Sequence, residues 1–505
     1  MEKIIKHFVF PVIALIYILG ALLIQQQPIG ESDDYMLASI ALMEHHGDSI
    51  HNSDIEKAYK IFPEHQAAWK SWKDGNANGG YTFNQEKGKW YTFYFPTYSL
   101  FVIPFIYLLQ FLKVSQTYAF PLANAIFLFM SFVFLMTYWK TNFFTKSVAS
   151  LILMLSPIMS YIYWPSAECM ISALLVLTVV CLFNKWYLRS MLFYSLASTL
   201  NIAIAPFCIV IYCFVLLDFV DRDSISVKNI FAVLIKNKIT LAKLILLNGI
   251  VFVPIVLNII RWGRVVVMSG MGTFDGWLSR AIAYLVDLNF GFLPYFPFIC
   301  FALFILIFSQ RERWSLIIYL LSIILILAAF SLMGHINCGH TGIHRYVAWT
   351  SILITLGVCW YANFIDSQLF KKLVAILLCL SVIISLAWSI KYRFINAVNS
   401  IHAQYVYFSP LAKFILDLYP GAYNPLFSTF NSRINHVDGG YNLPQRPIYY
   451  VSKQGFVKKI LLCNYMVDVV KQELKGNVFF DQTRDVSEYY YININSDSVV
   501  IKQSK

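Results

Sequence analysis

A series of apolar runs, each close to the length of helix that a bilayer demands, constrains this chain more than any other feature. They span 6–24, 118–139, 147–165, 168–184, 240–260, 294–309, 315–333, 345–363 and 372–390. A hydrocarbon core near 30 Å thick needs about 20 apolar residues per helix. The longer stretch 190–219 is interrupted by Ser198, Thr199, Asn201 and Pro206, and reads as two short half-helices. With 58% of residues hydrophobic and only 13% charged, a water-soluble fold could not hide the apolar surface. The fold class expected is an all-α polytopic membrane protein.

The net charge of +12 does not point to nucleic acid, because the cations fall in the short breaks between apolar runs. Lys3, Lys6, Lys140, Lys146, Lys185, Arg189, the segment 222–238, Arg311, Arg313, Lys371 and Lys372 all want one side, and the positive-inside rule makes that side cytoplasmic. About 11 transmembrane helices follow, provided that 95–112 lies in the interface or re-enters without crossing. Lys113 then falls outside, against the rule. The run Phe8–Ile24 has the form of a signal peptide, but Gln25, Gln26 and Gln27 stand where small residues would mark cleavage. It is expected to stay as a first helix, with the N-terminus cytoplasmic and the C-terminus outside. Of the nine Cys, most lie inside apolar runs and none forms a CxxC pair. Cys338 and Cys463 fall outside the runs; unpaired thiols are expected over a disulfide.

Residues 1–390 form the transmembrane module on this reading, and 391–505 a small outward domain. The strand-like Val478–Phe480 and Tyr489–Ile494, with turn signals at Asn424–Pro425 and Gly439–Gly440, give that domain an α/β character. Four more polar stretches face the same way: the loop 25–94, the turn at Glu168, and the loops 261–292 and 334–344.

The outward face carries the ionisable groups that lipid would reject. Asp33 and Asp34 follow the first helix, and Tyr35, Leu37, Ala38, Ala41 and Leu42 behind them form an apolar stripe at helical spacing. That predicts an amphipathic helix lying on the membrane, whose positive end favours ionised Asp. A solvated helix end is the plain alternative. Glu168 stands between two apolar runs with almost no loop, where an acidic residue costs about 2.5–3.5 kcal/mol. Its alternative is a carboxylate reaching back to the interface. The stretch His335–Tyr346 crowds His335, His340, His344 and Arg345 around Gly339 and Gly342. Its spacing fits no zinc pattern, whereas an Arg fork with His donors suits a phosphate. Loop 261–292 adds Arg261, Arg264, Arg280 and Asp275, which would meet lipid phosphate or form a structural ion pair, and then Asn289-Phe290-Gly291-Phe292-Leu293-Pro294-Tyr295.

In this order the features resemble the GT-C superfamily of membrane glycosyltransferases, which use a polyprenyl-phosphate sugar as donor. The matching pieces are Asp33-Asp34-Tyr35 with Ala38 and Ala41, the segment Phe93-Tyr94-Phe95-Pro96-Thr97-Tyr98, and the Ser156-Pro157 helix that leads to Glu168. Gly291–Tyr295 and Gly342-Ile343-His344-Arg345-Tyr346 complete the set. The likeness covers roughly 30–350, and the tail only loosely, at Tyr423-Asn424-Pro425. No single motif is specific; their order is. Asp-Asp here, where the family often has Asp-Glu, leaves the choice of carboxylate open, and the spacing to Ala38 and Ala41 favours Asp33.

The resemblance implies inverting sugar transfer at the outer face of a bacterial inner membrane. The expected partners are a polyprenyl-phosphate-linked sugar donor, a glycan or lipid-linked acceptor such as O-antigen, and membrane lipid. Asp33 or Asp34 would take the acceptor proton, and Glu168 would orient acceptor or base. Arg345, with His344, His340 or Lys89, would hold the phosphate; Arg261 and Arg264 are further candidates. A divalent cation, Mg or Mn, would sit on Asp33 and Glu168 if one is used. Serotype-converting glucosyltransferases are one subgroup of this kind. A lipid-linked sugar transporter or flippase would account for the half-helices, and an O-antigen polymerase for the outward Arg residues. The acidic pair and the long first loop favour the transferase.

Overall fold

The computed structural model describes residues 9–23, 32–73, 81–84, 89–92, 94–219, 235–263, 276–309, 312–332, 343–390, 406–436, 446–467, 478–483 and 489–494. Helix α1 is Phe10–Leu23 and α2 is Ser32–His45. After them come the short strand β1 (Ser49–Ile50), helices α3 (Asn52–Ile61) and α4 (Gln66–Lys73), and strands β2 (Tyr81–Asn84) and β3 (Lys89–Thr92). The apolar helices begin with α5 (Thr97–Phe111), α6 (Ala119–Tyr138), α7 (Phe143–Leu155), α8 (Glu168–Phe183), α9 (Tyr187–Leu200) and α10 (Cys208–Phe219). They continue with α11 (Lys238–Asn248), α12 (Val253–Trp262), α13 (Trp277–Val286), α14 (Phe292–Tyr295), α15 (Pro297–Ser309), α16 (Arg313–Ser331), α17 (Arg345–Tyr361) and α18 (Gln368–Ser389). The tail holds α19 (Pro410–Leu418), α20 (Phe427–Asn435) and strands β4 (Ile448–Val451), β5 (Val457–Cys463), β6 (Val478–Gln482) and β7 (Tyr489–Ile494).

Among the described residues, six helical stretches are long and apolar enough to cross a bilayer: 116–138, 202–219, 238–262, 313–331, 345–364 and 368–388. Helices α5, α7, α8, α13 and α15 are apolar but shorter. The protein is therefore a multi-pass membrane protein.

The run 147–165, expected as one helix, stops at Leu155. Pro157 pushes Ser156 into extended backbone at φ −72°, ψ 162°, and a 3₁₀ segment, Pro157–Tyr163, follows. The stretch 190–219 also breaks: Asn201 is extended, its side chain accepts the Ala203 N–H, and a 3₁₀ segment with Pro206 leads into α10.

The chain divides into two compact units. The first comprises 1–269, 301–326 and 349–386; the second 270–300, 327–348 and 387–505. In the first, the loop after α1 is more ordered than its polarity suggests. Strands β1, β3 and β2 form an antiparallel sheet in that order, with Ser49 opposite Tyr91 and Thr82 also opposite Tyr91 on the other side. Helix α2 is not a membrane-surface stripe. Every residue from Asp34 to Ala41 is buried, Ser39 included, so it is enclosed all round over that length.

In the second unit, β4, β5, β7 and β6 form an antiparallel sheet in that order. Strand β5 is buried along its whole length because both faces are covered. Leu461 and Cys463 pack with α19 and α20 through Ala412, Leu416, Phe427 and Phe430. Ile460 and Leu462 pack with Val467, Ile492 and Ile494 on the opposite face. Cys463 is buried, and Cys338, the other cysteine outside the apolar runs, lies outside the described residues.

Candidate active site

Asp33 and Asp34 occupy the first turn of α2, where unpaired backbone N–H groups favour negative charge. Successive helical positions point in different directions, so the two side chains meet different surroundings. The Asp33 carboxylate is 23% exposed, and its Oδ1 hydrogen-bonds His65 Nδ1 at 3.1 Å. His65 is itself buried and stacks on Trp69 at 5.8 Å, while Trp69 is fixed by its Nε1–H donating to the Phe62 carbonyl at 3.0 Å. Asp34 is 1% exposed. One carboxylate of the pair is thus open and held by an imidazole, and the other is enclosed.

Glu168 is the first residue of α8 and is 4% exposed. A chain of contacts ties its helix start to α2. The Tyr35 ring packs edge-on to Tyr98 at 5.0 Å and against Tyr94 at 5.3 Å. Ser99 on α5 donates to the Tyr35 carbonyl at 2.8 Å, as does Ser39 from within α2 at 2.7 Å. The Tyr98 hydroxyl donates to Asn124 Oδ1 at 2.8 Å, and Asn124 Nδ2 donates to the carbonyls of Ile162 and Trp164. Asn124 thereby satisfies the backbone left open where the helix breaks before Glu168. The segments that the sequence set apart as acidic pair, Tyr94–Tyr98 and Trp164–Glu168 are joined by one buried brace.

Among the cations of this unit, Lys89 opens β3 and is exposed. Arg261, in the last turn of α12, is 2% exposed and donates through Nε and Nη2 to Asp48, with its guanidinium 5.8 Å from the Tyr91 ring centroid. Arg264 and His340 lie outside the described residues.

In the second unit, Arg345 begins α17 and packs over the ring of Tyr346 at 5.1 Å. His344 is buried among the rings of Tyr284, Phe290 and Tyr346. Its Nδ1 accepts the Tyr346 main-chain N–H at 3.1 Å, and the His344 main-chain N–H donates to the Phe290 carbonyl at 3.3 Å. Arg280 is buried and donates to the Ser331 carbonyl at 2.6 Å. The Asn289–Tyr295 motif and the tail motif at Tyr423 share a network. Tyr423 donates to Asp287 Oδ2 at 2.8 Å, Asn289 Nδ2 donates to the Tyr423 hydroxyl at 2.6 Å, and Tyr295 donates to the Asn289 carbonyl. Burial raises the Asp287 carboxyl above the usual range, with these donors working against the rise.

Sequence reasoning missed His65 and Asn124. His65 is 32 positions from Asp33, with no motif to link them, and its only signal was an imidazole in a loop already singled out. Asn124 is a lone amide in a helix otherwise apolar enough to cross the membrane, which marks a buried hydrogen-bonding role.

No family model matches the chain, and no curated protein matches it. Two solved structures compare with it, both of ArnT from Cupriavidus metallidurans. The apo state has 12% identity and a TM-score of 0.42, over 72% of this chain and 61% of that one. The state bound to undecaprenyl phosphate has 10% identity and a TM-score of 0.44, over 98% and 99%. The chain thus spans less than two thirds of the first and nearly all of the second. Identities and scores this low leave the case for function to the residues themselves.

Proposed function

We propose that this protein is a GT-C-type membrane glycosyltransferase that moves a sugar from a polyprenyl-phosphate carrier to a glycan acceptor. The transfer takes place on the non-cytoplasmic face of a bacterial inner membrane, in a bundle of about 11 crossings. The observation that carries the reading is the unlike pair: Asp33, open and held by His65, beside the enclosed Asp34. A general base must reach its proton, and Asp33 is the accessible carboxylate of the two.

In this scheme Asp33 takes the proton of the acceptor hydroxyl as its oxygen attacks the anomeric carbon. The bond from that carbon to the carrier phosphate breaks, and the phosphate leaves with the electron pair. Direct displacement inverts the anomeric centre. Glu168 orients the acceptor or the base. The phosphate is assigned to Arg345, with His344, His340 or Lys89 beside it, because a guanidinium fork meets phosphate oxygens in a bidentate way. Arg264 is a further candidate, and Arg261 serves the loop as counter-ion of Asp48 before it serves the donor. O-antigen or a similar surface glycan is the acceptor proposed. A polymerase reading would draw on outward Arg residues, but Arg261 and Arg280 are both buried and engaged within the fold.

The test uses purified Asp33→Asn and Glu168→Gln with polyprenyl-phosphate sugars. Asp33→Asn should lower kcat by about 10²-fold or more, and Glu168→Gln should lower turnover as well. Full activity in both variants would refute the assignment, and a wild type active only with nucleotide sugars would refute the donor class.

A further inference from the structure

The corner where α2 hands over to α3 carries a cluster that sugar transfer does not use. His45 ends α2, His51 immediately precedes α3, and Asp54 lies in the first turn of α3. Between them the chain reverses through His46, at φ 54°, and the short strand β1. His45 Nε2 stands 3.0 Å from Asp54 Oδ2. The imidazoles of His45 and His51 lie nearly parallel, 4.3 Å apart at 12°. One ring nitrogen from each His and one oxygen of Asp54 all fall within 4.8 Å of one another.

Asp54 supplies the second observation. Its side chain is 1% exposed. Oδ2 accepts the His51 N–H at 2.7 Å, whereas Oδ1 is buried with no hydrogen-bond partner among the described residues. A buried carboxylate oxygen without a donor is costly. A plain imidazole–carboxylate pair leaves Oδ1 bare, and the exposed His51 ring, stacked on His45 with its Nε2 3.3 Å from Ser49 Oγ, is free to turn toward an ion. A cation held by the Asp54 carboxylate supplies the partner that Oδ1 lacks.

We propose that His45, His51 and Asp54 bind a divalent transition-metal ion that clamps the end of α2 to the start of α3. Two imidazole nitrogens and one carboxylate oxygen form a donor set that zinc accepts, with a fourth place for water. Neighbouring donors around tetrahedral zinc stand about 3.3 Å apart, close to the His45–Asp54 separation. Calcium or magnesium would call for a shell of oxygens that the corner does not offer. The ion's role is positioning: α2 bears Asp33 in its first turn and His45 in its last, so a clamp at one end holds the carboxylate at the other.

The experiment uses the full-length protein in detergent, purified without a polyhistidine tag, stripped with a chelator and then titrated with zinc. The proposal expects about one zinc per chain retained through dialysis, a tetrahedral absorption spectrum on replacement by cobalt, and a melting temperature that rises with zinc. His51→Ala keeps the contact to Asp54 because the bonded group is main-chain N–H. It should bind zinc about ten-fold or more weakly, while melting in chelator where wild type does. If His51→Ala melts lower in chelator, His51→Gln takes its place in the comparison. No retained metal at micromolar zinc would overturn the site, as would undiminished binding by the His51 variant, which would place the metal elsewhere.

Discussion

Asp33 and Asp34 are chemically the same and adjacent, and only their surroundings separate them. An imidazole reached from another helix holds one open; enclosure by α2's neighbours removes the other from solvent. Lys459 shows how far burial moves a single group. Its amine sits inside the tail, bonded to Asn424 and Asn493 and 4.8 Å from the Tyr491 ring centroid. Desolvation lowers it to about 7, against the opposing pull of Asp481. In the unfolded chain it titrates near 10.4. From pH about 7 to about 10 the unfolded chain therefore binds a proton that the folded one lacks, and stability rises with pH across that window. The protein should melt at a higher temperature at pH 9 than at pH 6.5 in scanning fluorimetry, and Lys459→Met should flatten that slope. The acidic pair was legible because carboxylates stand out in an apolar chain. The His65 contact was not, since nothing in a sequence marks which distant imidazole will meet a given carboxylate.

Where elements break, a side chain or a glycine deals with the consequence. Asn124 meets the carbonyls freed before α8. Gly291 permits the tight path from α13 into α14: a Cβ there would lie 2.6 Å from the Asp287 nitrogen and 2.7 Å from its carbonyl oxygen. Both are backbone atoms and cannot swing aside. Gly291→Ala should therefore cost about 1–3 kcal/mol, seen as a lower melting temperature and less folded protein after extraction. Gly249→Ala is the control, because a Cβ there meets nothing within 4 Å, and it should melt like wild type or slightly higher. The break at Pro206 was readable in outline, since proline acts on its own neighbours, whereas the run 147–165 was expected to continue as one helix through Pro157. The β1–β3–β2 sheet was not: its strands are two to four residues long, too short for alternation to show.

At the scale of the molecule, helix length sets a limit that composition does not reveal. At 1.5 Å per residue, the 13 residues of α7 and of α15 reach about 20 Å, short of a hydrocarbon core near 30 Å. Apolar content does not show this, and in the proposed topology the 3₁₀ segment Pro157–Tyr163 carries the crossing on from α7. The proposed topology puts the first loop and the tail on one face, and exposed lysines offer the check. With a membrane-impermeant maleimide on intact cells, cysteines at Lys89 and Lys453 should label, and one at Lys185 should not. Opposite behaviour of Lys89 and Lys453 would rule that topology out.

The ion pair between Asp48 and Arg261 joins positions 213 residues apart in the first unit. A ribosome delivers these two groups at very different times. The early loop must therefore wait with an unmatched acidic side chain while the helices up to α12 are threaded through the membrane. The contact that anchors Asp48 can thus form only once α12 has been made.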